Sequence, residues 1–503
     1  MPVGHTPPIL IITGFEPYEV ARASADGIPA LPLFMPALLG QKERICLMAP
    51  VLGAVAVATY LIAHERADVT LANFAPDTIS FDGSEIVAIS STFMGEEWVR
   101  TIADAVREAS PSAKIILGGP LSWSIPPEIL LQNIPALDAI ILREGEETFR
   151  EMILALRAGS SLEHVNDIAF RHNNKAVITP RRAFLAMDSL PYPDWELLGF
   201  TPQGSDGYIN VLPVETARGC IYNCAFCSEV HYWDKPVRHK SPQRVVEEFR
   251  RGMTKYGTRV FRIVDSCFTA PRRRCTEVCD AIYQELTSKG LGLRWTAYGR
   301  VNDLTPELLD SMKRAGCAAL DIGVESGDAG ILRSMNKGYT PADIINAARM
   351  AREAGIITHF NLVIGFPGET AETIENTIAV LNEAQPDTFG PYVLDVAPHT
   401  HIYENRARYG IIGERMTWEH RTMNSGEAFA AMMEVIGRVT NSTYFPGGEY
   451  FVGYLLALGY SLDEIRQFYR AVRLVWREGE TACEGTPELS LVRQVGKRLG
   501  PFF

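Results

Sequence analysis

The sequence lacks the features that mark several large classes of protein. It has no excess of basic residues: its 503 residues carry a formal net charge of -12, which argues against a general nucleic-acid-binding protein. Its first residues, MPVGHTPPILIITGFEP, have no basic segment and no cleavage-type site, so no secretory signal is predicted. We therefore expect a cytoplasmic protein with no nucleic-acid partner.

Long uncharged runs are also scarce, and the one that could cross a membrane is interrupted. Residues 45–63, ICLMAPVLGAVAVATYLIA, are long enough to span a bilayer. Pro50 and Gly53 break the run, and a charged segment and a strand-like run follow it. We interpret it as a buried strand end and a buried helix, so no membrane partner is expected.

Cysteine is sparse and unevenly placed. Nine cysteines, an odd number, do not form a disulfide framework. Three of them lie within eight residues of the segment ETARGCIYNCAFCSEV, at Cys220, Cys224 and Cys227. In a reducing compartment, such a cluster indicates metal binding or catalysis.

The hydrophobic pattern predicts an α/β fold with several domains. In residues 1–150, continuous apolar strands alternate with helices, which is typical of a doubly wound, Rossmann-like sheet. Residues 151–210 predict a helix, a hairpin around Asn173-Asn174 and a linker rich in Pro and Gly.

Strand and helix alternate again over residues 211–400. Six βα units are too few for a complete eight-stranded barrel, so they predict a partial, TIM-like (β/α)6 barrel. Its active face lies at the carboxyl ends of the strands, and the cysteine segment follows the first strand. Residues 401–503 are predicted to be mostly helical.

The three cysteines allow two kinds of metal site. Structural zinc needs four protein ligands, and Cys275 and Cys279 could complete such a site, although a core-facing position is expected for Cys279. A [4Fe–4S] cluster held by three thiolates instead leaves one iron open to a substrate or cofactor.

Four motifs decide between these alternatives. They are ETARGCIYNCAFCS, IVDSCFT, IGVESGDAGILRSMNKGYT and VIGFPGET, which follow one another strand by strand. In this order they resemble the cobalamin-binding subgroup of the radical S-adenosylmethionine (SAM) superfamily. The resemblance covers residues 8 to 400, approximately, and ends in the C-terminal helices.

The resemblance implies an enzyme with a [4Fe–4S] cluster on the three cysteines and SAM on the remaining iron. An external electron donor such as flavodoxin or ferredoxin would reduce the cluster, and SAM cleavage would give a 5′-deoxyadenosyl radical. The residues implied in SAM binding are Phe226, Arg300, Glu325, Ser326, Ile364, Gly365 and Pro367.

The resemblance also implies that the N-terminal sheet binds cobalamin. The strand ends expected to accept its nucleotide tail carry Ser90, Ser91, Thr92, Gly118 and Gly119. The sequence departs from one cobalamin-binding pattern, since it has no D-x-H-x-x-G motif. We therefore expect no protein histidine on the cobalt.

The expected reaction is C-methylation of a small molecule or natural product. Two alternatives remain: a cyclisation or rearrangement without methyl transfer, and a cluster-binding or electron-transfer protein without SAM chemistry. His399, His401 and Tyr403 follow the sixth strand and are candidates for substrate contact.

Overall fold

The structure is a computed structural model that describes residues 9–13, 50–73, 81, 83–92, 94–173, 175–205, 208–233, 236–445, 448–479 and 481–499. These residues form two compact units, of which the first runs to Tyr208 and the second starts at Ile209. Each unit is built on a seven-stranded sheet.

The sheet of the N-terminal unit has the order β2-β1-β3-β4-β5-β6-β7. Its strands are Ile9–Thr13 (β1), Val69–Asn73 (β2), Ile86–Ser90 (β3), Lys114–Gly118 (β4), Ala139–Ile141 (β5), Ile168–His172 (β6) and Lys175–Ile178 (β7). Strands β1 to β5 pair in parallel, whereas β6 and β7 are antiparallel additions.

Helices cover this sheet. They are Leu52–Glu65 (α1), Glu96–Ala109 (α2), Leu121–Ser124 (α3), Pro127–Asn133 (α4) and Gly145–Arg157 (α5). Helix α2 buries Trp98, Ile102 and Val106, spaced four residues apart on one face. Two separate apolar clusters contain residues of the same strands, as expected for a sheet packed on both faces. The predicted doubly wound sheet is confirmed.

The predicted hairpin is part of the same sheet. Strands β6 and β7 pair antiparallel, and Asn173 adopts a φ of 49° at the turn. The sheet thus continues beyond residue 150, where sequence analysis placed a domain boundary. The division into four domains at 150, 210 and 400 stays a prediction.

The sheet of the C-terminal unit is parallel, with the order β19-β15-β14-β13-β12-β11-β8. Its strands are Val211–Val214 (β8), Val260–Ile263 (β11), Arg294–Gly299 (β12), Cys317–Glu325 (β13), Ile357–Ile364 (β14), Thr388–Val393 (β15) and Thr443–Tyr444 (β19). A short antiparallel pair, Ala217–Arg218 (β9) and Arg238–His239 (β10), follows β8. The six predicted strands are confirmed, and the two-residue β19 was not predicted.

Helices connect these strands, and their starts follow the sequence signals. They are Glu229–Trp233 (α6), Pro242–Lys255 (α7), Arg272–Glu285 (α8), Pro306–Arg314 (α9), Ala329–Ser334 (α10), Pro341–Glu353 (α11) and Ala371–Ala384 (α12). Ser241, Thr305 and Thr340 each cap a helix through the side chain and precede a proline.

The C-terminal region is helical with one exception. Its helices are His401–Glu404 (α13), Arg406–Tyr409 (α14), Ser425–Arg438 (α15), Gly448–Ala457 (α16), Leu462–Glu478 (α17) and Pro487–Leu499 (α18). The exception, which was not predicted, is a three-stranded antiparallel sheet of Ile412–Glu414 (β16), Thr417–His420 (β17) and Met423–Asn424 (β18). Across the described ranges, no helix is both long and apolar enough to cross a membrane.

Helix α16 shows that the parallel sheet is curved. It has 10 residues and therefore a length of about 15 Å. It nevertheless contacts β8 and all strands from β11 to β15. Six strands lying about 4.8 Å apart would extend beyond such a helix if the sheet were flat. The strands therefore wrap around α16, as in the predicted partial barrel.

Candidate active site

The cysteine segment starts from an anchored strand end. The carboxylate of Asp265, which follows β11 and is buried, accepts hydrogen bonds from the amides of Thr216 at 2.6 Å and Ala217 at 3.0 Å. Arg274 donates to the carbonyl of Thr216 at 2.8 Å. The loop that contains the three cysteines thus leaves the carboxyl edge of the sheet in a fixed direction.

Backbone contacts hold the middle of this loop. Cys227 N donates to Cys224 O at 3.2 Å and closes a turn between the second and third cysteines. Ala225, inside that turn, donates to Met335 O at 3.0 Å and accepts from Ile402 N at 2.9 Å. The loop therefore lies between the segment after β13 and helix α13.

The three thiols have different environments. All three cysteines are half-buried and in the free thiol form. Burial raises the pKa of Cys227 to about 12. The pKa of Cys220 is lowered to about 7, chiefly by a hydrogen bond with Cys267, which follows β11. A fourth thiol thus lies beside the predicted cluster ligands, and sequence analysis assigned it no role.

The donor set fits an iron–sulfur cluster better than a single metal ion. Within the described ranges, no three His, Cys, Asp or Glu side chains converge on one ion. A cluster does not require this, because each thiolate binds a different iron. Cys275 and Cys279, the thiols considered for zinc, are fully buried in α8 and hydrogen-bonded to each other, which is an ordinary packing role.

Arg300, at the end of β12, contacts the cysteine loop directly. Its Nη1 donates to the Sγ atom of Cys224 at 3.1 Å, and its guanidinium carbon lies 3.9 Å from the ring centroid of Tyr222. The side chain is buried. The structure thus brings the predicted Arg300 into the cysteine cluster.

A buried ion pair lies next to it. Lys337 Nζ is 3.0 Å from Glu325 Oε1 and 5.7 Å from the ring centroid of Phe226. Glu325 adopts a left-handed φ of 67°, and a bulge interrupts the pairing of β13 with β14 just before it. Two predicted SAM-binding residues, Phe226 and Glu325, therefore share the neighbourhood of Lys337, which was not predicted.

Ser326 belongs to a different environment. Its side chain is fully buried and accepts from Asp328 N at 3.1 Å, while its hydroxyl lies 3.4 Å from that of Thr377 on α12. These contacts stabilise the turn into α10. The hydroxyl of Ser326 is thus engaged in local structure, and its predicted contact with SAM stays a prediction.

Ile364 is the last residue of β14, and Gly365 and Pro367 lie in the turn that follows it. Ile364 is fully buried, and Gly365 has a φ of 96°. The Gly365 amide donates to the buried carboxyl group of Glu369, and the ring of His420 lies 3.0 Å from the Gly365 carbonyl. This turn, which was predicted to bind SAM, is therefore fixed from both sides.

The predicted substrate residues flank the cysteine loop through α13. His399 has a φ of 66° and stacks on His231 of α6, with ring centroids 4.1 Å apart and planes 3° from parallel. The ring of His401 packs edge-on against Tyr409. Tyr403 donates to Glu414 at 2.9 Å. His399 is therefore the one of the three that reaches the segment directly after the cysteines.

In the N-terminal unit, the five predicted cobalamin-binding residues lie together at two adjacent strand ends. Ser90 and Gly118 are paired across β3 and β4. The hydroxyl of Ser91 donates to Gly118 O at 2.8 Å and accepts from Leu121 N at 3.0 Å, so it is used within the fold. Gly119 has a φ of 93°, and a side chain there would contact Ser91. Ser90 and Thr92 lie beside each other, with their hydroxyl oxygens 3.5 Å apart.

Known proteins place this arrangement in a family. Residues 214–381 match the radical SAM superfamily. An uncharacterized methyltransferase of Pyrococcus horikoshii is 31% identical over 338 residues, which are 67% of this chain and 72% of that protein. The anaerobic magnesium-protoporphyrin IX monomethyl ester cyclase of Cereibacter sphaeroides is 28% identical over 69% of this chain, although the match spans only 56% of the cyclase.

The fold agrees with these sequence relatives. The structure of the methyltransferase TsrM from Kitasatospora setae, solved with cobalamin and a [4Fe–4S] cluster bound, superimposes with a TM-score of 0.67 at 15% identity. It covers 98% of this chain and 100% of TsrM. The chain belongs to the radical SAM superfamily, and the predicted enzyme class and fold class are confirmed.

Proposed function

We propose that the protein is a cobalamin-dependent radical SAM methyltransferase that transfers a methyl group to a carbon of a small molecule. The observation that carries this proposal is the loop with Cys220, Cys224 and Cys227 at the carboxyl edge of the curved sheet. Three thiols leave one iron of a cluster without a protein ligand. The names of several relatives as methyltransferases support the reaction type.

The three cysteines would hold the cluster, which supplies the electron for reductive SAM cleavage when it is bound. Three further residues position the cysteine loop and supply charges beside it. Asp265 directs the loop, while the buried pair of Glu325 and Lys337 places one fixed negative and one fixed positive charge near Phe226. Fixed charges in an interior without free water can orient a zwitterion such as the methionine part of SAM.

Cobalamin is proposed for the N-terminal unit. The supporting observation is the pair of strand ends at Ser90 and Gly118, where the left-handed Gly119 lets a bulky group approach the backbone. TsrM, which has the same fold, was solved with cobalamin bound. A cytoplasmic location and a flavodoxin or ferredoxin as electron donor stay predictions.

One alternative reaction has its own support. Three cyclases that act on magnesium-protoporphyrin IX monomethyl ester are among the relatives, at 25–28% identity. A radical cyclisation on the same scaffold would consume SAM but leave no added methyl group on the product. The alternative without SAM chemistry is disfavoured, because the chain belongs to an enzyme superfamily.

The test is anaerobic reconstitution with iron, sulfide and cobalamin, followed by addition of SAM and a reductant. We expect a bound cluster and cobalamin in the absorbance spectrum, and S-adenosylhomocysteine together with 5′-deoxyadenosine. With candidate substrates, mass spectrometry should show the gain of one methyl group. A changed substrate without this gain would favour the cyclase, and protein that binds cobalamin but leaves SAM intact would contradict both reactions.

A further inference from the structure

Each nitrogen of the Arg300 guanidinium has an acceptor inside the protein. Nη1 donates to the Sγ atom of Cys224 at 3.1 Å. Nε donates to Oδ1 of Asn302 at 3.0 Å, and Nη2 donates to the carbonyl of Lys337. These contacts join the second cysteine to the turn after β12 and to the segment after α10. Arg300 is therefore held in one orientation against the thiol.

A second set of contacts supports the same orientation. The guanidinium stacks on Tyr222, which lies between the first two cysteines. The Tyr222 hydroxyl donates to Asp303, and that carboxylate also accepts from the Thr269 hydroxyl at 2.9 Å. Thr269 Oγ1 in turn accepts from Arg300 N at 3.1 Å. One hydrogen-bonded network thus connects the loops after β11 and β12 to the cysteine loop and fixes its position.

We propose that Arg300 is a positioning residue for the cluster: it fixes Cys224 and places a buried positive charge on that thiolate. This inference rests on the proposed function, in which the three loop cysteines hold a [4Fe–4S] cluster. A charge-assisted N–H···S bond withdraws electron density from the sulfur. Hydrogen bonds to the sulfurs are among the factors that set the reduction potential of such clusters, and a cationic donor favours the reduced, more negative state.

This role differs from the one that the sequence resemblance implies, a contact of Arg300 with SAM. The two roles have different consequences. A contact with SAM affects SAM affinity alone, whereas a bond to Cys224 affects the cluster even when SAM is absent. The reduction potential of the SAM-free cluster therefore separates them.

The test compares wild-type protein with Arg300→Met and Arg300→Lys, each reconstituted anaerobically with iron and sulfide and without SAM. The midpoint potential is measured by redox titration followed by electron paramagnetic resonance. We expect a more negative potential for Arg300→Met and a smaller shift in the same direction for Arg300→Lys. The lysine variant keeps the buried charge, so it provides the measurement if the methionine variant does not fold.

Arg272→Met is the matched control, because Arg272 donates to the carbonyl of Asn302 in the same turn but is exposed. It should keep the wild-type potential. Wild-type potentials in the folded Arg300 variants would overturn the inference, and weaker SAM binding at an unchanged potential would assign Arg300 to SAM instead. Wild-type protein that assembles no cluster would overturn the proposed function, and this inference with it.

Discussion

The ammonium group of Lys337 lies 3.0 Å from the Glu325 carboxylate, and neither side chain is more than 10% exposed. Burial acts to lower the pKa of Lys337, but the adjacent Glu325 carboxylate outweighs it and the pKa is raised. Lys337 thus keeps its charge in the folded protein. It lies beside Phe226, next to the last two cysteines of the loop.

Breaking this pair should destabilise the fold strongly. Lys337→Met or Glu325→Gln leaves one buried charge without its partner, for which we expect a loss of about 3–5 kcal/mol in the free energy of unfolding. The double variant should lose less, since no unpaired charge remains. Urea denaturation of the cluster-free protein measures these values.

Lys289→Met provides the control for this prediction. Lys289 pairs with Glu285 at 3.0 Å, but both side chains are more than half exposed. Its loss should leave the free energy of unfolding close to that of the wild type, because exposed ion pairs contribute little. Single Lys337 and Glu325 variants that are no less stable than this control would contradict the prediction.

A side chain at Gly365 should disturb the turn after β14. The φ of 96° is unfavourable for alanine, and the added Cβ would overlap the ring of Trp418 and lie 2.8 Å from Cβ of Ala428. Strain and overpacking together should cost about 3 kcal/mol in Gly365→Ala. Gly459→Ala, with a φ of 88° and open space around it, should lose only about 1 kcal/mol. Thermal unfolding of both variants tests whether the crowding by Trp418 matters.

The stability of the protein should depend on pH through Glu369. Burial raises the pKa of this fully buried carboxyl to about 7. The folded state therefore keeps its proton while the unfolded chain, with a pKa of 4.5, loses it. Between these values, stability should fall as pH rises, by about 3 kcal/mol in total.

Glu369→Gln removes this titration and keeps an acceptor oxygen for the Gly365 amide. Its free energy of unfolding should match that of the wild type near pH 4.5 and exceed it near pH 7.5. Denaturation curves across this range provide the measurement. Parallel pH profiles for the two proteins would show that Glu369 does not titrate in this window.

Cluster assembly should depend on the loop cysteines and not on other thiols. Cys227→Ala should reduce bound iron and sulfide after reconstitution to a small fraction of the wild-type value, because one iron loses its ligand. Cys483→Ala, which removes a buried thiol far along the chain, should keep the wild-type iron content. Equal iron contents in both variants would contradict the assignment of the cluster to the loop.

The sequence predicted regular elements and local signals well. The strands β11 to β15 are apolar runs between helices, so they could be predicted from the sequence. Capping residues such as Thr340 likewise indicate where helices begin. Strand β19 has only two residues, which are too few to show a periodic pattern. It is defined by its hydrogen-bonded pairing with β15, a contact between distant parts of the sequence. Strands β16 to β18, with two to four residues each, are also too short to show a periodic pattern.

The same limit applies to the site. Three cysteines on one loop can be recognised from their spacing, but the partners of that loop come from distant parts of the chain. Asp303 is 81 residues from Tyr222, whose hydroxyl donates to it, and Asn336, beside Lys337, is 113 residues from Asn223, to whose carbonyl it donates. Cys267 stands in a motif that was recognised, yet its hydrogen bond with Cys220 requires two strand ends to be adjacent in space. Such contacts follow from strand order, which a single sequence does not display.

Helix α16 has a consequence for the size of the molecule on which the enzyme acts. Its first residue, Gly448, has a φ of 49°, and a side chain there would lie 2.7 Å from the Asp321 carboxylate, midway along β13. The helix thus forms a floor inside the curved sheet. Along β13, the strand continues from Asp321 to Glu325 beyond this contact, a length of about 13 Å. Helix α16 lies more than 200 residues after the cysteine loop in the sequence. It nevertheless limits how deeply a substrate can extend into the curved sheet.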